Sequence, residues 1–188
     1  MVLGHRMVEQ TVPQRGTGPG FTHMLTLIQM HGEPGSGKTT LARALGRSLG
    51  AVVMDKDIVH WALLRSDFRN PAAGAAAYAA HFATAESVLR QNYSVILDNP
   101  VYYPAIEAQS KRIAEECGAL YILVECTCAN DTERVRRVMA RTIQTPPDTG
   151  NPLPGFQLTG PRIVVETQRA LDTVVGDVLG ALRRRAPL

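Results

Sequence analysis

The sequence predicts an α/β protein in which buried strands alternate with helices, and three observations predict it. Five short apolar runs, at 25–31, 51–54, 93–98, 119–126 and 162–167, have the length and composition of interior strands, and helical patterns stand between them. A glycine-rich stretch separates the first run from the first helix. The second and third runs end in aspartates, at the carboxyl ends of strands where open parallel sheets place their chemistry.

The first run, Leu25-Thr26-Leu27-Ile28-Gln29-Met30-His31, leads into Gly32-Glu33-Pro34-Gly35-Ser36-Gly37-Lys38-Thr39-Thr40. This is the G-x-x-x-x-G-K-T pattern (Walker A) of a loop that cradles nucleotide phosphates. Gly32, Gly35 and Gly37 allow successive N–H groups to turn inward toward phosphate oxygens. The helix expected over 40–49, with Leu41, Leu45 and Leu49 on one face, adds its free N–H groups and the positive end of its dipole. Lys38 is expected to reach the β- and γ-phosphates of ATP, and the Thr39 hydroxyl to coordinate Mg²⁺.

After the run Ala51-Val52-Val53-Met54 come Asp55-Lys56-Asp57 and a helix expected from Ile58 to about Arg65, which Asp57 could cap. Capping explains one aspartate; it does not explain two carboxylates at a strand end facing a phosphate loop. An alanine-rich helix follows between Pro71 and Asn92, with Tyr78, Phe82, Ala85 and Leu89 on one face. Tyr93-Ser94-Val95-Ile96-Leu97-Asp98 is the third strand, its terminal carboxylate suited to hold Mg²⁺ directly or through water. Asn99-Pro100 begins a turn, and Tyr102 and Tyr103 beyond it either line a pocket or pack. The segment 58–92 is the expected acceptor-recognition region, with His60, Trp61 and Tyr78 as candidates beside Asn99 and Tyr102. Trp61, one turn beyond Asp57, could stack on a ring-bearing acceptor, although core packing is also open to it.

A helix from Pro104, ended by Gly118, precedes the fourth strand, 119–126. Asn130 or Asp131 is expected to cap an arginine-rich helix on which Arg134, Arg137 and Arg141 share a face. That face is either solvated charge or a set of clamps over ATP phosphates. Residues 142–160 hold four prolines and three glycines without periodicity, which favours a lid over about 134–160 that carries positive charge onto the transferring group. The last strand leads to an amphipathic helix over 170–185 that buries Leu171, Val174, Val178 and Leu182.

Composition bounds the rest. The 188 residues, 45% hydrophobic, form one core-bearing domain at 23–188, with a disordered extension expected over 1–22. A net charge of +3 and no aromatic–basic strip argue against nucleic acid, and Arg183-Arg184-Arg185 reads as a solvated helix end. Cys117, Cys126 and Cys128 lack metal-ligand spacing and read as buried free thiols of a cytoplasmic protein. No stretch is long and apolar enough to cross a bilayer.

Taken in order, Gly32–Thr40, Met-Asp-Lys-Asp at 54–57, Val-Ile-Leu-Asp at 95–98 and Arg-Val-Met-Ala-Arg at 137–141 resemble the small P-loop kinases. The chain looks most like the AAA_33-type family, near zeta-toxin-like, chloramphenicol-phosphotransferase-like and shikimate- or gluconate-kinase-like enzymes. The resemblance implies a three-layer P-loop NTPase fold with a five-stranded parallel sheet and a lid. It also implies transfer of the γ-phosphoryl group of Mg-ATP to a hydroxyl of a small molecule, a metabolite or antibiotic. Carried over by position, the residue at the acceptor hydroxyl is Asp55 or Asp57, with Asp57 preferred. Asp55 and Asp98 then lie on the Mg²⁺ side, and Arg137 and Arg141 are the lid arginines. Asn99-Pro100 and the proline-rich lid depart from shikimate- and gluconate-specific patterns, so the acceptor stays open. Two other functions fit the same motifs: a nucleotide-dependent regulatory ATPase, and a polynucleotide or RNA-end kinase.

Overall fold

The five apolar runs are strands of one sheet. The computed structural model describes residues 24–66, 72–140 and 156–185. In chain order its elements are β1 (Thr26–His31), α1 (Lys38–Leu49), β2 (Val52–Asp55), α2 (Lys56–Arg65), α3 (Ala73–Arg90), β3 (Val95–Asp98), α4 (Pro104–Glu116), β4 (Leu120–Thr127), α5 (Asp131–Met139), β5 (Arg162–Glu166) and α6 (Leu171–Arg185). All strand pairs are parallel, in the order β2-β3-β1-β4-β5. Alternation along β1 explains the three layers. Ile28 and Met30 face one way and pack with Leu41 and Leu45 of α1 and Val174, Val178 and Leu182 of α6. Leu27 faces the other way, toward Phe82 and Leu89 of α3 and Ile106 and Ile113 of α4. The central strands are covered on both faces, so they read as continuous apolar runs.

The helix starts differ from expectation in one instructive place. Helix α2 begins at Lys56, two residues early, because Asp55 caps it: its Oδ1 accepts the main-chain N–H of Asp57 at 2.9 Å. Asp57 is therefore inside the first turn, and the capping role expected for it belongs to Asp55. Asn130 caps α5 by accepting from the N–H of Glu133 at 3.0 Å. Leu171, expected in the core, is 37% exposed at the first turn of α6. Of the cysteines only Cys126 is buried; all three are free.

The expected extension at 1–22, most of the expected lid and Arg141 lie outside the described residues. Ahead of β5, Glu107 of α4 fixes the chain at Thr159 and Gly160. Its buried carboxylate accepts the N–H groups of Thr159 and Gly160, while Lys111 approaches at 3.0 Å. These bonds and Lys111 hold the Glu107 carboxyl below the usual glutamate range against its desolvation. Among the described residues no helix is long and apolar enough to cross a membrane.

Candidate active site

Strand β1 ends beneath the phosphate loop, and α1 starts at Lys38 on its far side. Gly32, Gly35 and Gly37 all have positive φ, at 133°, 81° and 87°. Gly35 shows why a side chain is excluded. A Cβ there would run into the main-chain oxygen and Cγ of Arg134, so α5 rests directly on the loop. Lys38, 8% exposed, curls back over the loop and donates from Nζ to the main-chain oxygens of Gly32 (2.7 Å) and Glu33 (2.8 Å). The Ser36 hydroxyl is buried inside the same arc without a partner.

The outer side of the loop is held by residues distant in sequence. Thr167, just past β5, directs its hydroxyl at the Ser36 carbonyl (2.8 Å) and the Thr127 carbonyl (3.0 Å). Glu33 pairs with Arg134 Nη1 at 2.5 Å. A cavity of about 320 Å³ opens beside Gly37, walled by Thr40, Leu41, Arg137, Arg169, Leu171 and Val174. Arg137 thus stands at the cavity, with its Nε bonded to Glu133 at 2.8 Å.

On the other side of Lys38 are the aspartates. Asp55 and Asp98 are register partners at the adjoining ends of β2 and β3. Asp98, 6% exposed, feels the polar side chain of Thr39, the residue after Lys38. Burial pushes the Asp98 carboxyl up to about 6; Thr39 and Lys38 oppose the rise, and Asp55 and Asp57 add to it. Desolvation also raises Asp55, against the bond it accepts from Asp57 N–H. Two desolvated carboxylates and a hydroxyl beside a phosphate loop are hard oxygen donors of the kind Mg²⁺ takes together with phosphate oxygens. Among the described residues no group of three or more His, Cys, Asp or Glu side chains could hold a metal by itself. The donors present, two carboxylates and a hydroxyl, fit a Mg²⁺ that also takes phosphate oxygens.

Beyond the aspartates lies a cluster that the sequence signalled only in part. Lys56 is 2% exposed, with Nζ 2.8 Å from Asp57 Oδ1 and 5.2 Å from the centroid of the Tyr78 ring. His81, 1% exposed, bonds through Nε2 to Asn99 Oδ1 at 3.0 Å. Burial brings His81 down to about 4, so its ring is neutral at physiological pH. Asn99 is further tied by its main-chain oxygen to Gln29 Nε2 at 2.7 Å. Of the acceptor candidates, His60, Trp61 and Tyr78 are half-buried on α2 and α3. Trp61 lies 5.8 Å from the guanidinium of Arg65. Asn99 and Tyr102 are buried, Tyr102 edge-on to His31 at 6.3 Å. Lys56, His81, Thr167 and Arg169 were missed. A buried lysine between two acids and a threonine after the last strand carry no periodic signal, and only the sheet order brings them here.

A family model, AAA_33, described as an AAA domain, matches residues 27–149. No curated protein sequence matches the chain. Solved structures do. A kinase candidate from Chloroflexus aurantiacus j-10-fl superposes with a TM-score of 0.67 at 23% identity, over 87% of this chain and 99% of that one. The APS kinase CysC of Mycobacterium tuberculosis, in complex with AMPPNP and APS, gives 0.62 at 18%, over 85% and 98%. Kti12 of Chaetomium thermophilum, in complex with ADP-AlF3, gives 0.60 at 21%, over 82% and 98%. At these identities the likeness establishes the fold: a five-stranded, all-parallel P-loop NTPase sheet of the kinase type.

Proposed function

This chain belongs to the AAA_33 family, and on that footing we propose that it is a phosphotransferase that moves the γ-phosphoryl group of Mg-ATP to a hydroxyl of a small molecule. The observation that carries the reading is the register pairing of Asp55 with the buried Asp98 at adjoining strand ends, close to the buried Lys38 of the phosphate loop. A phosphate loop, a carboxylate pair at adjoining strand ends and Asp57 in the next helix turn support the reading.

In this reading the adenine ring lies in the cavity that Leu41, Val174, Arg137 and Arg169 line, where an arginine can stack on the ring. Gly32–Thr39 wraps the phosphates. Lys38 exchanges its contacts with the loop carbonyls for β- and γ-oxygens. Thr39, Asp98 and Asp55 would hold Mg²⁺, which when bound would offset charge on the transferring group. Asp57, steadied by Lys56 at 2.8 Å, orients the acceptor hydroxyl and receives its proton. The acceptor oxygen–phosphorus bond forms, the bond to the β-phosphate oxygen breaks, and ADP leaves. His60, Trp61 and Tyr78 shape the acceptor side.

The test follows ADP release from Mg-ATP against a panel of hydroxylated metabolites, antibiotics and a 5′-hydroxyl oligonucleotide. Stimulation by one compound, with its phosphorylated form found by mass, supports the reading and names the acceptor. Tight ATP binding and slow hydrolysis without any phosphorylated product would favour a nucleotide-dependent switch instead. A phosphorylated oligonucleotide would make the chain an end-kinase.

A further inference from the structure

The phosphate loop carries an acid of its own. Glu33 is the second residue of the arc, and its carboxylate is 69% exposed at the loop's rim. A nucleotide polyphosphate in that loop, the reading on which this inference rests, would meet a like charge at short range.

Arg134 meets that charge. Its Nη1 lies 2.5 Å from Glu33 Oε2, and its Nη2 lies 2.8 Å from Asp131 Oδ1, one turn back on α5. Two-point contact fixes the plane of the guanidinium. Main-chain packing also holds it, since the Arg134 carbonyl and Cγ press on Gly35, which has no Cβ to keep them away. Its Nε is buried and unpartnered, so part of the cation is withdrawn from water and is less screened than a surface charge. Arg137, one turn further along α5, is turned to Glu133 and the cavity instead. The two arginines therefore serve different parts of the site.

We propose that Arg134 is a positioning residue that cancels the charge of Glu33, so that the phosphate loop accepts a polyphosphate in proportion to the phosphates it carries. The effect acts through Glu33 and the loop. It should therefore scale with phosphate charge and leave the nucleoside unaffected, unlike a loss of packing, which would weaken every ligand alike.

The experiment measures binding of adenosine, ADP and ATP, each with Mg²⁺, to the full chain by calorimetry. Arg134→Gln is expected to weaken ATP by about tenfold, the size of one added like charge near the loop, and ADP by about threefold. Adenosine should be unchanged, and Glu33→Gln/Arg134→Gln should return ATP to within about threefold of the parent. Glu33→Lys, a change at an exposed position that does not depend on Arg134→Gln folding, should tighten ATP more than ADP. Equal weakening of all three ligands by Arg134→Gln without recovery in the double variant would overturn the proposal. Indifference of ATP affinity to Glu33→Lys would do the same. A parent chain that binds no ATP would instead remove the nucleotide reading itself.

Discussion

Replacing Asp98 with asparagine should stabilise the metal-free protein at neutral pH while removing its response to Mg-ATP. The carboxyl is 6% exposed, and burial pushes it up to about 6, against about 3.9 for an exposed aspartate. A carboxyl raised on folding favours the folded state while it is protonated, and that advantage is lost as pH rises through about 6. At 1.36 kcal/mol per pH unit, the gap corresponds to about 3 kcal/mol by pH 7.5. Asparagine keeps a side-chain oxygen and carries no charge, so Asp98→Asn should recover up to about that amount. For a chain of this size this is a rise in Tm of roughly 6–12 °C. Thermal unfolding in EDTA at pH 7.5 and at pH 4 reads it directly. The difference should be large at the first pH and nearly absent at the second. With Mg-ATP added at pH 7.5 the parent should gain stability and Asp98→Asn should gain much less. An Asp98→Asn protein that is no more stable than the parent in EDTA at pH 7.5, or equally stabilised at both pH values, would refute the account of this carboxylate.

Four further variants have outcomes that the geometry sets. Lys38→Ala should abolish measurable Mg-ATP binding in calorimetry while the far-UV dichroism of the fold is kept. Gly35→Ala must place a methyl against the Arg134 carbonyl at a φ of 81°, so it should cost about 2 kcal/mol or more in urea unfolding. Gly118→Ala, where φ is 65° and the space is open, should cost only about 1 kcal/mol and leave nucleotide affinity alone. Glu107→Gln removes a carboxylate held below its usual range, whose stabilising effect is present above the ordinary glutamate pKa and fades as pH falls through the lowered one. Its destabilisation should therefore be clear in urea at pH 7 and shrink at pH 3.

The sheet was legible because both of its faces are buried, which leaves continuous apolar runs such as Leu-Tyr-Ile-Leu-Val over 120–124 with little competing signal. The phosphate loop was legible because its glycines and lysine answer to local backbone geometry. Asp55 and Asp98 were legible as strand ends, and the parallel register sets them side by side. What escaped depends on where the chain returns. Thr167 reaches Ser36 only because β5 lies two strands from β1 in the sheet. Asp55 rather than Asp57 caps α2 because the strand passes into the helix without a loop, and no residue pattern distinguishes two aspartates two apart. Lys56 turns inward, where Asp57 and Tyr78 receive its charge. Lysine is so rarely buried that the sequence alone argues for the surface.

The central claim, that Asp57 and the phosphate loop together perform phosphoryl transfer, is tested most directly by isotope. The parent and Asp57→Asn are incubated with γ-labelled Mg-ATP and the hydroxyl panel, and label is sought on an acceptor by mass. The account predicts label on one acceptor with the parent and a loss of transfer of about a hundredfold or more in Asp57→Asn, with ATP affinity nearly unchanged. Equal transfer by the two proteins would contradict it.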